Sequence, residues 1–287
     1  GPGPAQLFCE VVGFGAMLLT RYQVYPWLIG LTAAAIVVGL LVLAIVGRTT
    51  LAAATDIYGE YPHLFIPLGL LIIPIGIAAT GLQYLVIEYP PGKQIFEVMN
   101  KSPGARLAAA LTVGGFQQLA GLIVIGPTVI VLVSDIQAGR TPSLRRAYEV
   151  VLAGIGRLAA AVLGPVVIVG LLALSVVGIP WAVTRAVRWF FVAQAAIVDR
   201  ATPKEARARS ARAVSGHWWR TVSIVFFLTV LGNVAGPLIG IYLLVFDARS
   251  VEFVNLVSSL VYAALLPLSV VGYTQLYQQL ERGHWRG

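Results

Sequence analysis

The chain alternates long apolar runs with short charged segments. Uncharged stretches rich in Leu, Val, Ile, Ala and Gly cover 22–47, 61–87, 107–134, 158–184, 221–246 and 253–280, each flanked by charge. A helix that crosses the hydrocarbon core needs about 20 such residues, so the pattern predicts six transmembrane helices. A seventh, shorter stretch at 181–198 follows Gly178-Ile179-Pro180 and carries Arg185 and Arg188. Proline at a first helical position beside Trp181 marks a helix that starts at a membrane interface. At helical rise the stretch covers about 27 Å, just enough to cross. Residues 7–20 are too short to span and contain Glu10, which predicts an interfacial helix.

Charge decides between six and seven crossings. Segment 135–157 holds Arg140, Arg145, Arg146 and Arg157, and segment 199–220 holds Arg200, Lys204, Arg207, Arg209, Arg212 and Arg220. Basic loops collect on the cytoplasmic side. Both segments share that side only if two passes lie between them, and the 158–184 and 181–198 stretches supply them. Seven crossings leave 88–106, 247–252 and the N-terminus outside, with Arg282 and Arg286 of the C-terminus in the cytoplasm. The expected architecture is an all-α, polytopic membrane protein with about seven transmembrane helices, one of them short. Amphipathic interfacial helices precede some of the spans.

Composition agrees with that architecture and removes other classes. Of 287 residues, 58% are apolar and 11% charged, and the mean hydropathy is +0.86. Soluble domains carry about 25% charged residues, so a soluble enzyme, a disordered chain and a nucleic-acid-binding module are excluded. The formal charge of +8 belongs to the loop bases and reflects topology. Lone Cys9 cannot close an internal disulfide, and no Cys/His pair has metal-ligand spacing. The chain divides into 1–22, a cleaved-tag scar or leader with an interfacial segment; 23–48, an extra N-terminal span; and 49–287, a helical membrane domain.

Within that domain the basic segments repeat a unit. Thr141-Pro142 opens one and Thr202-Pro203 the other. In each, Thr is placed to cap a helix with Pro at its first position, and Glu205 completes a capping box. Each predicted basic helix ends at glycine, Gly154 and Gly156 in one and Gly216 in the other. An arginine follows (Arg157, Arg220), and a span begins. Residues Thr55 to Phe65 form a weaker third copy.

From about Thr55 to Glu281 the chain resembles the membrane domain family attached to some bacterial glycerophosphoryl diester phosphodiesterases, which also occurs as stand-alone bacterial membrane proteins. The resemblance is carried by Ile125-Gly126-Pro127, Gly139-Arg140-Thr141 and Gly178-Ile179-Pro180, followed by Arg188-Trp189-Phe190-Phe191. Val198-Asp199, Val214-Ser215-Gly216, Trp218-Trp219-Arg220 and the closing Pro267 to Glu281 segment complete it. It implies a helical membrane fold in the bacterial inner membrane. The hydrolase barrel with its His and carboxylate cluster is missing, so phosphodiesterase activity does not transfer. The additional 22–47 span departs from the family pattern.

Candidate chemistry is sparse. Counted from Pro180, Arg185 and Arg188 lie about 8 and 12 Å into a helix and share a face. Charge at that depth costs a few kcal/mol and needs a partner, a wet cavity or a route to the surface, on the order of the insertion scales. The functional interpretation is an anion or lipid-headgroup site; the bland one is snorkelling. The bases Arg200, Lys204, Arg207, Arg209, Arg212 and Arg220 suit a helix held on anionic lipid, each contributing about 1 kcal/mol. Trp218, Trp219 and His217 fit the headgroup level. Gly232, Gly236 and Gly240 make overlapping GxxxG steps for close helix packing, with Pro237 between them. No HExxH, GxSxG or phosphate-binding glycine loop occurs, and every Asp and Glu lies outside the runs.

Three function classes remain. The preferred expectation is a non-enzymatic integral membrane protein that supports the cell envelope or a partner complex. The first alternative is a transporter, channel or lipid- or anion-handling protein using Arg185 and Arg188; the second is a membrane-embedded lipid-headgroup enzyme. No catalytic residue, metal or cofactor is assigned. Expected partners are the phospholipid bilayer, with anionic lipid on the cytoplasmic side, and a membrane protein or second copy. Nucleic acid is not among them.

Overall fold

The computed structural model describes residues 47–75, 78, 125–175, 177–233, 235, 236, 239 and 251–283. The described residues are helical and include no strand. In chain order the helices are α1 (Arg48–Glu60), α2 (Pro62–Leu70), α3 (Ile125–Gln137), α4 (Leu144–Ala173), α5 (Ile179–Arg188), α6 (Val192–Val198), α7 (Pro203–Val214), α8 (Trp218–Asn233) and α9 (Val251–Glu281). Runs 22–47 and 107–124, most of 76–87, and Pro237 and Gly240 lie outside the described residues.

Helix α9 is the axis on which α8, α2 and α1 pack. Small residues set the spacing. A methyl group on Gly232 would stand 2.5 Å from the Ser269 hydroxyl, and one on Gly236 would stand 2.6 Å from the Ser258 carbonyl oxygen. Leu228 meets Gly272 further down, so α8 climbs as α9 descends. On α2, Gly69 lies against the Ala263 carbonyl, where no side chain fits. Two hydrogen bonds fix α1: Thr50 Oγ1 donates to Gln279 Oε1 at 2.7 Å, and the Tyr58 hydroxyl donates to the Ala264 carbonyl at 2.9 Å. Phe65, Leu68, Ile224, Leu228, Leu266 and Leu276 fill the space between these helices.

Helices α4 to α7 form a second packed group. Helix α5 folds back along α4, and both α6 and α7 pack on α4. Contacts of α9 with the second group join the two at one end, with Tyr273 against Phe190 and Tyr277 against Phe191. The Tyr277 hydroxyl donates to Asp199 Oδ2 at 2.5 Å, and Arg209 approaches the same oxygen at 3.4 Å.

Several helix boundaries differ from the sequence expectation. Gly154 and Gly156 do not break a helix: α4 runs unbroken through both for 30 residues. A helical interior tolerates glycine at a cost of about 0.5–1 kcal/mol, which tertiary packing covers. Thr141 and Pro142 do not cap α4 either. The N-cap is Ser143, in extended conformation and without a side-chain bond. The 158–184 run is not one helix, because α4 stops at Ala173. Gly178 N–H donates to Ser175 Oγ at 2.9 Å, and Gly178 lies so close to the Leu172 carbonyl that no side chain fits. Helix α5 then begins at Ile179, with Pro180 in its first turn. The 181–198 stretch is likewise two helices, α5 of 10 residues and α6 of 7, divided at Trp189 to Phe191. The second basic unit does behave as expected: α7 and α8 meet at a bend of 105° where Gly216 takes φ +82°.

Helices α4 and α9 are long and apolar enough to cross a membrane, and α7 with α8 would make a third crossing if the bent pair is one span. These helices mark a membrane-associated helical protein. In its most apolar stretch α4 is only 11% buried, against 44% for α9. Helix α4 therefore turns its hydrocarbon outward.

Candidate functional site

The turn between α5 and α6 is built around one serine. Ser210, fully buried on α7, donates its hydroxyl to the Arg188 carbonyl at 2.8 Å and accepts the Phe191 N–H at 3.1 Å. Ala206, Ser210, Ala213 and Val214 are the buried face of α7, at spacings that place them on one side of a helix. Thr202 caps the start: its hydroxyl accepts from the Glu205 N–H at 3.4 Å, while Glu205 Oε2 accepts from the Thr202 N–H at 3.0 Å. The Thr202 backbone and then hydroxyl hydrogen bonds hold the Glu205 carboxyl below its ordinary pKa, with Arg209 adding attraction.

Where α7 ends, a cavity of about 360 Å³ opens, lined by Thr184, Arg188, Val214, Ser215, Gly216 and Trp218. Arg188 supplies a permanent positive charge. The first residue of α8, Trp218, lies on the same wall, so the positive end of that helix dipole is nearby. The Trp218 indole Nε1 is buried and finds no acceptor among the described residues. An arginine, a serine hydroxyl and a helix N-terminus around one opening are a donor set for phosphate or carboxylate oxygens.

The two arginines singled out by spacing part company. Arg188 lines the cavity, whereas Arg185 lies over the Trp189 ring, 5.1 Å from its centroid. Arg200 is exposed with φ +52°, and Lys204 and Arg212 are exposed on α7. Arg207 Nε donates to the Pro203 carbonyl at 3.1 Å, and its guanidinium reaches Gly164 on α4. Arg209 pairs with Asp199. Arg220 is half-buried near the start of α8. Gly232 and Gly236 face α9 within the chain.

Spacing did not reveal Thr184, Ser210 or Ser215. Nor did it show that Asp135 is buried at the end of α3. Arg140 contacts Asp135 Oδ1 through both Nε and a terminal nitrogen at 2.7 Å, and Arg146 lies 3.7 Å from the same oxygen. Among the described residues no group of three or more His, Cys, Asp or Glu side chains is placed to hold a metal ion. Comparison with family models, with curated proteins and with solved structures returned no match for this chain.

Proposed function

We propose that this chain is a non-enzymatic, multi-pass protein of the bacterial inner membrane, and that its Arg188 cavity holds the phosphate of an anionic lipid headgroup. The setting is a protein that supports the envelope or a partner complex. The resemblance of residues 55–281 to the phosphodiesterase-associated membrane domain fits that setting. The carrying observation is the cavity itself, which joins Arg188 to Ser215 and the start of α8 at the bend between a basic and an apolar helix. Such a bend belongs where water meets hydrocarbon, which is where headgroups are. Arginine suits phosphate because its planar fork offers paired donors. The surrounding bases of α7 add sequence-wide attraction for anionic lipid.

The orientation proposed puts segments 135–157 and 199–220 and the C-terminus in the cytoplasm and the N-terminus outside. Its support is the concentration of Arg and Lys in the two segments, since basic loops collect on the cytoplasmic side. The 181–198 stretch is two helices, so the return towards the second basic segment is not a single straight span.

Titration of the detergent-solubilised chain with short-chain phosphatidylglycerol tests the headgroup site. Saturable binding is expected to weaken at least about tenfold in Arg188→Gln, the loss of one charge-assisted contact. Arg185→Gln is expected to bind as the parent does, and phosphatidylcholine only weakly. Equal binding by parent and Arg188→Gln would remove the site.

A further inference from the structure

Between Arg157 and Arg185 the chain carries no charge, yet it makes a tight hairpin out of α4 and α5. The tip carries strongly exposed apolar side chains: Leu174 is 83% exposed, Val177 76%, Leu171 64% and Trp181 60%. Water does not favour that much hydrocarbon on one protrusion. The hairpin base is polar and basic, with Arg188 at the cavity, Arg185 on Trp189, and Arg207 against Gly164.

The dimensions decide what such a tip can reach. A crossing needs about 20 residues in each leg, whereas α5 has 10 before its turn. From Ile179, helical rise puts Arg185 about 9 Å and Arg188 about 14 Å down α5. On α4, Leu174 stands about 15 Å above Gly164, where Arg207 reaches in. Half of the hydrocarbon core is about 15 Å. Both legs therefore carry bases one half-bilayer from the tip.

We infer that the α4–α5 hairpin is a re-entrant wedge: its tip sits among the acyl chains of an anionic leaflet, and both legs return to the face they entered. The occupant of its exposed face is lipid hydrocarbon, and the basic rim complements the charge of the headgroups above it. The turn suits that environment, because the bilayer core offers no water to unpaired backbone groups. Leu174 N–H donates to Gly170 O at 3.2 Å, Gly178 N–H to Ser175 O and Oγ at 3.0 and 2.9 Å, and Ala182 N–H to Gly178 O at 2.8 Å. Pro180 has no N–H to satisfy. A wedge that enters and leaves by one face also keeps both basic segments on one side without two full passes.

The inference rests on the membrane reading proposed above, and its test separates the two. In a Cys9→Ser background, Leu174→Cys is labelled with a thiol-reactive fluorophore and the chain reconstituted into phosphatidylcholine–phosphatidylglycerol vesicles. Leu174 is exposed, so the substitution leaves packing intact. Lipids brominated deep in the acyl chain are expected to cause the larger loss of emission. The unlabelled variant is expected to resist a membrane-impermeant maleimide from both sides, while Arg212→Cys reacts from one. Reaction of Leu174→Cys from the face opposite Arg212→Cys would establish a full crossing and overturn the wedge alone. Disulfide-linked pairs of Leu174→Cys with no lipid quenching would give the face to a second copy and overturn it too. A chain that fails to float with the vesicles overturns both this inference and the membrane reading.

Discussion

Ser210 holds together three helices with one hydroxyl. It bonds the last carbonyl of α5 and an N–H at the start of α6, both of which α7 covers. Ser210→Ala leaves those groups buried and unpaired, at a cost of about 1–3 kcal/mol. The expected outcome is a lower midpoint for unfolding in detergent, with proteolysis beginning between Arg188 and Val192; an unchanged midpoint would show that the turn is held by packing alone. Nothing in the sequence near Ser210 announces this role, because its partners lie 19 and 22 positions away. The Thr202 cap was legible, since a capping box is written within four consecutive residues. It also gives a pH dependence. A carboxyl whose folded pKa lies below its unfolded value contributes above the unfolded value and loses that contribution as pH falls through the folded one. For Glu205 the window therefore starts at the ordinary carboxylate pKa and extends below it. Amide exchange corrected for intrinsic rate is expected to lose protection at the first turn of α7 as pH falls through this window, and Glu205→Gln is expected to flatten the profile.

At the scale of elements, glycine means different things at different positions. Gly156 sits inside α4 with open space around it, whereas Gly216 holds φ +82° at the bend between α7 and α8. Alanine at Gly156 is expected to stabilise by about 0.5–1 kcal/mol. Alanine at Gly216 is expected to cost about 1–2 kcal/mol, because its Cβ crowds the following carbonyl there. Thermal unfolding of the two variants in one detergent checks the pair; a larger loss at Gly156 would contradict the continuous α4. The apolar runs that became α4 and α9 were legible because a helix able to cross a membrane shows itself by length and lack of charge. Their internal ends were not, since the turn after α4 is made by Ser175 and Gly178 within an uncharged stretch. Nor does periodicity reveal a charge brought in from another helix, as Arg207 is at Gly164.

For the whole molecule, the proposed sidedness turns on which ends share a compartment. The start of α1 bonds the end of α9 through Thr50 and Gln279, and the end of α9 bonds the α6–α7 junction through Tyr277 and Asp199. Helix α6 in turn packs on α4, as does α7, whose Arg207 reaches Gly164. The ion pair of Arg140 with Asp135 lies just before α4. The proposed orientation puts segments 135–157 and 199–220 in one compartment, which a hairpin that returns α7 to α4 allows. Arg145, with its side chain 91% exposed, is the clean reporter for the first segment, and exposed Arg212 for the second. In sealed vesicles of the Cys9→Ser chain, Arg145→Cys and Arg212→Cys are expected to react with an impermeant thiol reagent from the same side. Reaction from opposite sides would require an odd number of crossings between Arg145 and Arg212 and would overturn the proposed orientation. Basic loops are retained in the cytoplasm during insertion, so reaction from one shared side would favour the cytoplasmic placement proposed for both segments.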